Sequence, residues 1–317
     1  MRRVLVLGTV IGVAAVSMLA FGQAPTGPSA KAIEATKIEK VKENLYIITG
    51  SGASDQTAFS GGNTAVFITA KGVVVVDTKN PGWGQPIIDK IKTLTDKPVT
   101  TIINTHTHGD HVSGNVEFPP TVDVIVQENT KKYMEQANPV YGLQTTPPDN
   151  IFTKNGGRGL PKRTFKDTWT IGSGKEQIDL RYFGPAHTGG DAFVIFRDYR
   201  VMHVGDTMPT RDFPIMDKNN GGTGVGYSAT IAKAAAVKNV DTIINGHNAT
   251  TTTPADLKRY SEFLADFVKF VQDAKKAGKT VDDVVSTWKT PAKYSGYAQP
   301  TATRVKADAQ VIWDETK

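Results

Sequence analysis

The sequence predicts a layered α/β fold, and three features of the 317-residue chain support this prediction. Short apolar runs bounded by Gly, Asn and Asp recur along the chain, which is the pattern of β-strands separated by turns. One run, Val73–Val76, is continuously apolar, as expected of a strand that is covered on both faces. Stretches in which apolar residues keep helical spacing lie between and after the strands, so helices are expected to cover the sheets on both sides.

The first segment, residues 1–22, has the composition of a secretory signal peptide. Two arginines precede a mainly apolar run from Val4 to Phe21, and small residues suited to a cleavage site end it. The apolar run approaches the ~18 residues with which a helix can span a bilayer, so an uncleaved membrane anchor is the alternative. We expect cleavage, no stable membrane insertion, and a periplasmic or secreted protein.

Composition narrows the classes of function that the chain can serve. It contains no cysteine, which excludes a disulfide framework, a cysteine nucleophile and thiolate metal ligands. The formal charge of +6 is mild, and the lysines are dispersed without a long basic block. This pattern does not favour a nucleic-acid partner. A small-molecule substrate is expected instead.

The sequence divides into four predicted parts, of which the signal segment is the first. Residues 23–39 contain two prolines, a glycine and few apolar side chains, and are predicted to form a flexible tether. Residues 40–253 are predicted to form the main domain. Residues 254–317 are predicted to form a helical C-terminal extension packed on that domain.

The predicted elements follow one another in a mixed order of strands and helices. The predicted strands are Leu45–Thr49, Thr64–Thr69, Val73–Asp77, Thr101–Asn104, Val122–Val126, Gln177–Phe183, Ala192–Phe196, Val201–Val204 and Thr242–Asn245. The first three are expected to be consecutive and antiparallel, with a tight turn at residues 70–72. Helices are predicted near Gln85–Leu94 and Ser228–Val237. A longer helix is predicted to begin at Pro254 and to end before Gly278.

Residues 105–111 read Thr-His-Thr-His-Gly-Asp-His and have the spacing of metal ligands. His106 and His108 are two apart, so on an extended strand end they would project to the same side. Asp110 and His111 would follow on a turn that the intervening glycine permits. The first two imidazoles would hold one ion, and the carboxylate with the third imidazole a neighbouring ion; Zn²⁺ favours such ligands. The alternative is a chance cluster of histidines on a solvated loop.

Three further candidate ligands lie just beyond predicted strands. They are His187, Asp206 and His247, each with a glycine or another small residue before it. Functional groups gather at such ends because loops can vary while the sheet holds them rigidly. A single His there is more often a surface or capping residue, and a single Asp after Gly is usually a turn residue. Together with the heptapeptide, however, the three favour one common site.

From about residue 40 to residue 250, these motifs and their order resemble the metallo-β-lactamase fold hydrolase superfamily. The family motif His-x-His-x-Asp-His is matched by residues 106–111, and the later ligand motifs are matched by the three downstream residues. Asp77 matches a family acid at the end of the third strand, where it would orient a ligand or brace the loop. The resemblance implies a four-layer αββα sandwich with the metal site along one sheet edge, completed here by the helical C-terminal extension.

For the site, the resemblance implies a binuclear metal centre. The first divalent ion would be held by His106, His108 and His187. The second would be held by Asp110, His111 and His247, with Asp206 bridging both ions. Zinc is the expected metal, and iron and manganese are the alternatives.

The reaction class expected of such a centre is metal-assisted hydrolysis. Two ions ~3.5–4 Å apart can share a hydroxide and clamp the reacting group, and zinc lowers the pKa of bound water to ~7 in favourable sites. Asp110 would act as the catalytic residue that positions the hydroxide proton. No serine nucleophile or separate general base is required.

The ligand at position 206 narrows the substrate. A bridging Asp206 resembles the pattern of glyoxalase II-like thioesterases, lactonases and related phosphodiesterases, and not that of the cysteine-bearing β-lactamases. Export argues against cytosolic glutathione thioesters and against tRNA processing. The expected substrate is a carboxylic ester, lactone or thioester, with an ester or lactone preferred. The alternatives are a β-lactam hydrolase, a phosphodiesterase, a mononuclear-iron sulfur dioxygenase, and a non-catalytic protein that metal merely stabilises.

Substrate walls are expected from three loops, which are residues 50–63, 138–163 and 207–227. In the last loop, Lys218 or Arg211 could receive a substrate carboxylate, although loop cations are more often simply solvated. His203 lies where the family commonly has an apolar side chain. A hydrogen-bonded core histidine is the preferred interpretation there.

Overall fold

The computed structural model describes residues 27–50 and 57–317. Within them the chain forms two β-sheets that pack face to face, with helices on the outer face of each sheet. The predicted four-layer αββα sandwich is therefore confirmed. The predicted signal segment, residues 1–22, lies outside the described residues. No described helix combines the length and the apolar character needed to cross a membrane.

The first sheet is ordered along the chain, with β1 at one edge and β7 at the other. Its strands are β1 (Ile38–Lys42), β2 (Leu45–Ile48), β3 (Thr64–Ile68), β4 (Val73–Val76), β5 (Val99–Ile103), β6 (Asp123–Gln127) and β7 (Arg163–Phe165). Pairs from β1 to β4 are antiparallel, and pairs from β4 to β7 are parallel. Because β4 and β5 are parallel and their last residues are paired, the loops that follow them leave the sheet at the same edge.

The second sheet has the order β12-β11-β10-β9-β8. Its strands are β8 (Thr168–Ile171), β9 (Ile178–Tyr182), β10 (Ala192–Phe196), β11 (Val201–His203) and β12 (Thr242–Ile244). The strands β8 to β11 pair antiparallel, whereas β11 and β12 are parallel and end side by side at His203 and Ile244. The loops after β11 and β12 are consequently neighbours.

The helices cover both outer faces of the sandwich. They are α1 (Ala30–Ala35), α2 (Gly84–Lys92), α3 (Gly109–Val112), α4 (Glu128–Gln136), α5 (Ile151–Lys154), α6 (Tyr227–Ala235), α7 (Pro254–Lys276), α8 (Val281–Thr287) and α9 (Ala302–Glu315). Short 3₁₀ turns add Ser113–Glu117, Gly174–Glu176, Gly205–Thr207 and Lys218–Asn220.

The long helix predicted after Pro254 is α7. Thr253 and Asp256 form a capping box, in which each side chain accepts a hydrogen bond from the other's backbone N–H. Pro254 occupies the first turn, where its missing N–H costs nothing. Gly278 lies just beyond the end of the helix with φ of 73°, a left-handed conformation that favours glycine.

Three buried apolar clusters correspond to the interfaces between the layers. Residues such as Phe67 and Phe196 fill the space between the two sheets. Ile87 of α2 packs with residues of the outer face of the first sheet. The largest cluster lies between the second sheet and the helices α6 to α9, and it includes Phe263 and Phe267. The C-terminal extension therefore shares its core with the main domain.

The predicted strands are all present among the described residues, with ends displaced by at most two residues. Three further strands, β1, β7 and β8, were not predicted. All three are short, and most of their side chains are exposed or only partly buried. Their apolar pattern is therefore too weak to distinguish them from loops. Helix α4, whose sequence is mostly polar, was missed for the same reason.

The segment predicted as a tether contains regular structure in its described part. Helix α1 and the first residues of β1 lie within residues 27–39. Ser29 caps α1 by accepting a hydrogen bond from the backbone N–H of Ala32, and it donates one to the carbonyl oxygen of Thr57. Ala32 is buried against the outer cluster of the first sheet. The boundaries of the four predicted parts stay predictions.

Candidate metal centre

The heptapeptide lies between β5 and α3, at the edge where β4 also ends. Strand β5 ends at Ile103, so His106 and His108 lie beyond the strand and not on an extended strand end. The loop is held by Asp77, whose two carboxylate oxygens accept hydrogen bonds from the backbone N–H (2.8 Å) and the hydroxyl (2.7 Å) of Thr105. The imidazoles of His106 and His108 nevertheless face each other, with ring centroids 4.8 Å apart.

The turn after His108 differs from the prediction. Gly109 does not adopt a positive φ but begins the short helix α3, so left-handed backbone is not the reason for a glycine here. Asp110 and His111 are carried into the centre by this helix. Both side chains lie beside the candidate centre, as expected from the sequence, whereas the left-handed backbone expected of Gly109 is wrong.

A first group of three imidazoles is formed by His106, His108 and His187. Their nitrogen atoms lie within 4.8 Å of one another, and all three residues are buried. Nδ1 of His108 is 3.0 Å from Nε2 of His187. Nε2 of His106 is buried and has no hydrogen-bond partner among the described residues. This group draws two ligands from the first sheet and one from the second.

A second group is formed by Asp110, His111 and His247, with donor atoms also within 4.8 Å of one another. Nε2 of His247 is 3.3 Å from Oδ2 of Asp110 and 3.3 Å from Nε2 of His111. The Asp110 side chain is 23% exposed, whereas that of His111 is fully buried. Asp110 is therefore accessible from the open side of the centre.

Asp206 lies between the two groups. Its Oδ1 is 3.3 Å from Nε2 of His111, and its Oδ2 is 3.1 Å from Nε2 of His247. The same Oδ2 is 3.9 Å from Nε2 of His187, which belongs to the first group. Gly246 makes this position possible, because a Cβ atom there would lie 1.8 Å from Oδ1 of Asp206. The carboxylate thus reaches donors of both groups.

Three imidazoles are oriented by hydrogen bonds at the ring nitrogen that faces away from the centre. His111 Nδ1 donates to Oδ2 of Asp77 (2.8 Å), and His108 Nε2 donates to Oδ2 of Asp217 (2.8 Å). His187 Nδ1 donates to the carbonyl oxygen of Ile215 (2.7 Å). Each bond leaves the other ring nitrogen free to face the centre, an arrangement typical of metal-ligating histidines.

Sequence patterns indicated the role of Asp77 but missed Asp217 and Lys79. Asp217 is a single acid in a long loop, so nothing in its sequence context marks it as a partner of His108. Lys79 is fully buried beneath the second group, where its Nζ donates to the carbonyl oxygen of Gly62 (2.7 Å). Burial lowers the pKa of Lys79 to about 7, although the charges of Asp110 and Asp77 oppose this shift. A fully buried lysine could not be anticipated, because lysines are almost always exposed.

The electrostatics of the centre favour cations. Burial alone would raise the pKa of Asp206, but the charges of His247 and His111 hold it well below its usual range. Burial likewise opposes ionisation of Asp110, whose pKa is nevertheless lowered by the charge of His111 and by a hydrogen bond from His247. Burial also opposes protonation of His111, yet the neighbouring carboxylates, Asp206 foremost, raise its pKa well above the usual value. Ionised carboxylates in a buried site require a positive partner.

The donor set fits divalent metal ions. Burial lowers the pKa of His106 well below its usual value and that of His187 to about 3, so both imidazoles are neutral and keep a lone pair. Nε2 of His106 is buried without a hydrogen-bond partner among the described residues, so a ligand that accepts its lone pair would satisfy it. Neutral imidazoles combined with carboxylates suit zinc, iron and manganese.

Two loop cations considered for substrate binding have different surroundings. Lys218 is paired with Asp314 of α9 (2.8 Å) and lies over the ring of Tyr141. Arg211 forms an ion pair with Asp256 (3.1 Å) and lines a cavity of about 600 Å³ together with Asn248, the neighbour of His247, and Tyr297 of the C-terminal extension. Arg211 thus lies on the wall of this cavity, whereas Lys218 is held against Tyr141 and α9.

The remaining histidine, His203, is fully buried on β11 and does not join either group. Gly205 N–H donates to its Nδ1 (3.1 Å), and its Nε2 is 3.2 Å from the carbonyl oxygen of Asn63. The preferred interpretation of a hydrogen-bonded core histidine agrees with this geometry.

Comparisons with known proteins agree with the fold. A family model described as "Metallo-beta-lactamase superfamily" matches residues 58–247. The chain is 28% identical over 183 residues to the protein named "Metallo-beta-lactamase type 2" of Elizabethkingia meningoseptica, a match that covers 56% of this chain and 64% of that protein. The chain thus matches somewhat less than two thirds of that relative's length.

Solved structures share the architecture at low sequence identity. The sec-alkylsulfatase Pisa1 from Pseudomonas sp. superposes with a TM-score of 0.66 at 13% identity, covering 90% of this chain and 51% of that one. The DIM-1 metallo-beta-lactamase superposes with a TM-score of 0.56 at 18% identity, covering 73% of this chain and 97% of that one. At such identities the likeness establishes the fold alone.

Proposed function

The chain belongs to the metallo-beta-lactamase superfamily, whose members are metal-dependent hydrolases, and on this premise we propose that it is a binuclear metal-dependent hydrolase. The position of Asp206 carries the proposal, since its carboxylate lies within 4 Å of imidazoles from both groups. A purely structural metal site needs no carboxylate that bridges two groups. Small organic molecules are the proposed substrates, and no nucleic-acid partner is proposed.

We assign the first ion to His106, His108 and His187. The second ion is assigned to Asp110, His111 and His247, and Asp206 would touch both. When bound, two such ions supply a hydroxide nucleophile near neutral pH and polarise the reacting carbonyl. Zinc is the proposed metal because nitrogen and oxygen donors suit it.

The chain's own residues contribute to the reaction by positioning the nucleophile, the imidazoles and the substrate. Asp110, the most exposed of the carboxylates in the centre, would accept a hydrogen bond from the nucleophile and hold it toward the substrate. Asp77 and Asp217 keep His111 and His108 in fixed orientations. Arg211 and Tyr297, at the wall of the neighbouring cavity, would meet the part of the substrate remote from the reacting bond.

A carboxylic ester, lactone or thioester is the proposed substrate class. The chain has no cysteine and carries Asp206 where a thiolate would be needed, which separates it from the cysteine-bearing β-lactamases. Hydrolysis of β-lactams is the second candidate, favoured by the 28% identity to a protein named as a metallo-beta-lactamase. Export to the periplasm or beyond is proposed from the composition of residues 1–22.

A hydrolysis screen on protein of known metal content tests the proposal. The panel contains lactones, carboxylic esters, thioesters, phosphodiesters and β-lactams, and the variants are Asp110→Asn and His106→Ala. The matched control is Asp241→Asn, which makes the same carboxylate-to-amide change at an exposed ion pair with Arg200. We expect the site variants to lose at least about 100-fold in kcat/KM, as removal of groups that stabilise a transition state does. Site variants as fast as the parent would refute the metallohydrolase assignment.

Metal analysis distinguishes the oxidative alternative. A sulfur dioxygenase would contain one iron per chain and consume oxygen with a persulfide substrate. Two ions per chain without oxygen uptake would leave hydrolysis as the reaction.

A further inference from the structure

The role of His203 follows from the hydrogen bonds at its two ring nitrogens. The Gly205 N–H can only donate, so Nδ1 of His203 accepts (3.1 Å). The carbonyl oxygen of Asn63 can only accept, so Nε2 of His203 carries the proton and donates (3.2 Å). The ring is thus a neutral imidazole of one defined tautomer that joins two separate segments. An apolar side chain would fill this space but would leave both backbone groups buried without partners.

One of these segments leads directly to Asp206. Gly205 takes a left-handed conformation with φ of 52°, and it begins the 3₁₀ turn that contains Asp206. Fixing the Gly205 N–H therefore fixes the direction in which the chain leaves β11. The position of the Asp206 carboxylate depends on that direction.

The other segment leads to His247. The Asn63 N–H donates to the carbonyl oxygen of Gly246 (2.6 Å). The Asn63 side-chain amide donates to the carbonyl oxygens of Asn245 (2.9 Å) and Asn248 (2.7 Å). Asn63 thus holds the backbone on both sides of His247.

We propose that His203 and Asn63 form a clamp that sets the position of Asp206 relative to His247 and thereby determines the affinity of the second metal position. Both are positioning residues, since neither faces the centre itself. The first group depends on this clamp less than the second does, because His108 and His187 are oriented by Asp217 and Ile215. The Asp206 carboxylate is also farther from His187 (3.9 Å) than from His247 (3.1 Å). The inference rests on the proposed binuclear function and adds a selective effect on one of the two ions.

The test is calorimetric titration of metal-free protein with Zn²⁺, followed by Co²⁺ absorption spectra of the same variants. The parent is expected to bind two ions. In His203→Leu, the affinity for the second ion is expected to fall by about 10- to 100-fold, the usual cost of losing an outer partner of a metal ligand, while the affinity for the first ion stays within about twofold. The Co²⁺ spectrum of the second position should change with it.

Two milder variants keep the test valid if His203→Leu does not fold. His203→Asn can still accept from the Gly205 N–H, because Asn readily bonds the backbone two residues on, but it cannot reach Asn63. Asn63→Ala keeps the carbonyl oxygen for His203 and loses the amide bonds to Asn245 and Asn248. Both variants should show part of the loss of affinity for the second ion that is expected of His203→Leu. The double variant should lose less than the sum of the two single losses, since both act through one clamp.

Two controls separate positioning from general destabilisation. Ser261→Ala removes a partly buried hydrogen bond to the carbonyl oxygen of Ser228 between α7 and α6 (2.8 Å), so it lowers stability without touching the clamp. Asp217→Asn should lower the affinity for the first ion and leave the affinity for the second ion unchanged. This selectivity is the opposite of that expected for the clamp variants.

The outcomes distinguish this inference from the proposed function. A parent that binds fewer than two ions overturns both. A parent that binds two ions, with clamp variants that bind both at the parental affinity or lose both equally, overturns the clamp alone. Loss of the second ion in Ser261→Ala would also overturn it.

Discussion

Two glycines at the centre stand where a larger residue would collide with a ligand. A Cβ atom at Gly246 would lie 1.8 Å from Oδ1 of Asp206, and one at Gly62 would lie 2.0 Å from Cε1 of His111. Neither residue adopts the left-handed backbone for which glycine is usually required. The requirement is for space beside a candidate metal ligand, so the backbone at these positions belongs to the candidate site.

We predict that Gly246→Ala disrupts the centre. The added methyl group must displace the Asp206 carboxylate, so metal affinity and kcat/KM are each expected to fall by at least about 10-fold. Metal titration and hydrolysis assays measure both. Gly109→Ala is the matched control, because its Cβ would meet only Oγ of Ser113, at 3.3 Å, and its backbone is already helical. Equal losses in the two variants would contradict the prediction.

At the scale of residues, the sequence indicated the candidate ligands and one residue that supports them, Asp77, but missed the other supporting residues. His106, His108 and Asp110 are recognisable because their spacing is local. Asp217 and Asn63 are not, since each acts on a ligand far away in the chain, and such a pairing exists only after folding. The assignment of each ligand to a particular ion stays a prediction.

Helix α9 supports the loop that carries Asp217. Oδ1 of Asp308 accepts from the backbone N–H of Met216 (3.2 Å). Glu315 accepts from the hydroxyl of Thr223 and from the backbone N–H groups of Gly224 and Val225, at distances of 2.8 to 3.0 Å. The C-terminal extension therefore contributes to the geometry of the first group although it supplies no ligand.

We predict that Glu315→Ala loosens this loop. The three lost hydrogen bonds are partly exposed, so the expected loss of stability is only about 1 kcal/mol, but amide hydrogen exchange at residues 224 and 225 should accelerate. Asp282→Ala is the control, because it removes the exposed ion pair of Lys306 on the same helix without touching the loop. Unchanged exchange at residues 224 and 225 would count against the prediction.

A second prediction at this scale concerns Asp308 and pH. Burial raises the pKa of Asp308 to about 7, against the opposing charge of Arg304. Because the unfolded chain loses this proton near pH 4, the free energy of unfolding should decline as pH rises from about 4 to about 7. Asp308→Asn does not titrate and can still accept from Met216.

Denaturant unfolding of metal-free protein at pH 5 and pH 8 measures the effect. Between these pH values, the parent should lose about 2 to 3 kcal/mol relative to Asp308→Asn. Other titrating groups are common to both proteins and cancel in the difference. A constant difference between the two proteins would show that Asp308 is not the cause.

At the scale of elements, strong apolar patterns were sufficient to predict strands and helices from the sequence, whereas weak patterns were not. The continuous apolar run of β4 and the capped helix α7 were predicted because burial and capping leave a local pattern. Strands β7 and β8 are short and mostly exposed, so their pairing depends on neighbours that the local sequence does not reveal.

At the scale of the whole molecule, we expect the stability of the fold to depend on bound metal ions. Several carboxylates and imidazoles are buried at one edge, where loss of hydration opposes folding, and the chain has no disulfide that would offset this cost. Bound ions would stabilise the folded state by mass action, by roughly 3 to 4 kcal/mol at concentrations 100 to 1,000 times the dissociation constant.

We therefore predict that chelation lowers the midpoint of thermal unfolding and that added Zn²⁺ restores it. Scanning calorimetry with and without a chelator measures the change. A reducing agent should have no effect, since the chain contains no cysteine. A midpoint unchanged by chelation would contradict a metal centre that is coupled to the fold.

At the scale of the molecule, the layered class followed from the order of elements, and the full four-layer arrangement followed from the resemblance. The sheet order and the sharing of a core between the second sheet and α6 to α9 did not follow. They depend on which apolar faces meet, and many pairings satisfy the same local patterns.

Each of the two assigned groups draws its donors from both sheets. The first group needs His187 from the second sheet, and the second group needs His247 from there as well. A chain in which only one sheet has folded would therefore lack a donor of each assigned group, so we expect both assigned metal positions to be completed only when the two sheets have come together. The identity of the ions would then be decided by the metals available in the compartment where folding ends, whatever metals surround the ribosome.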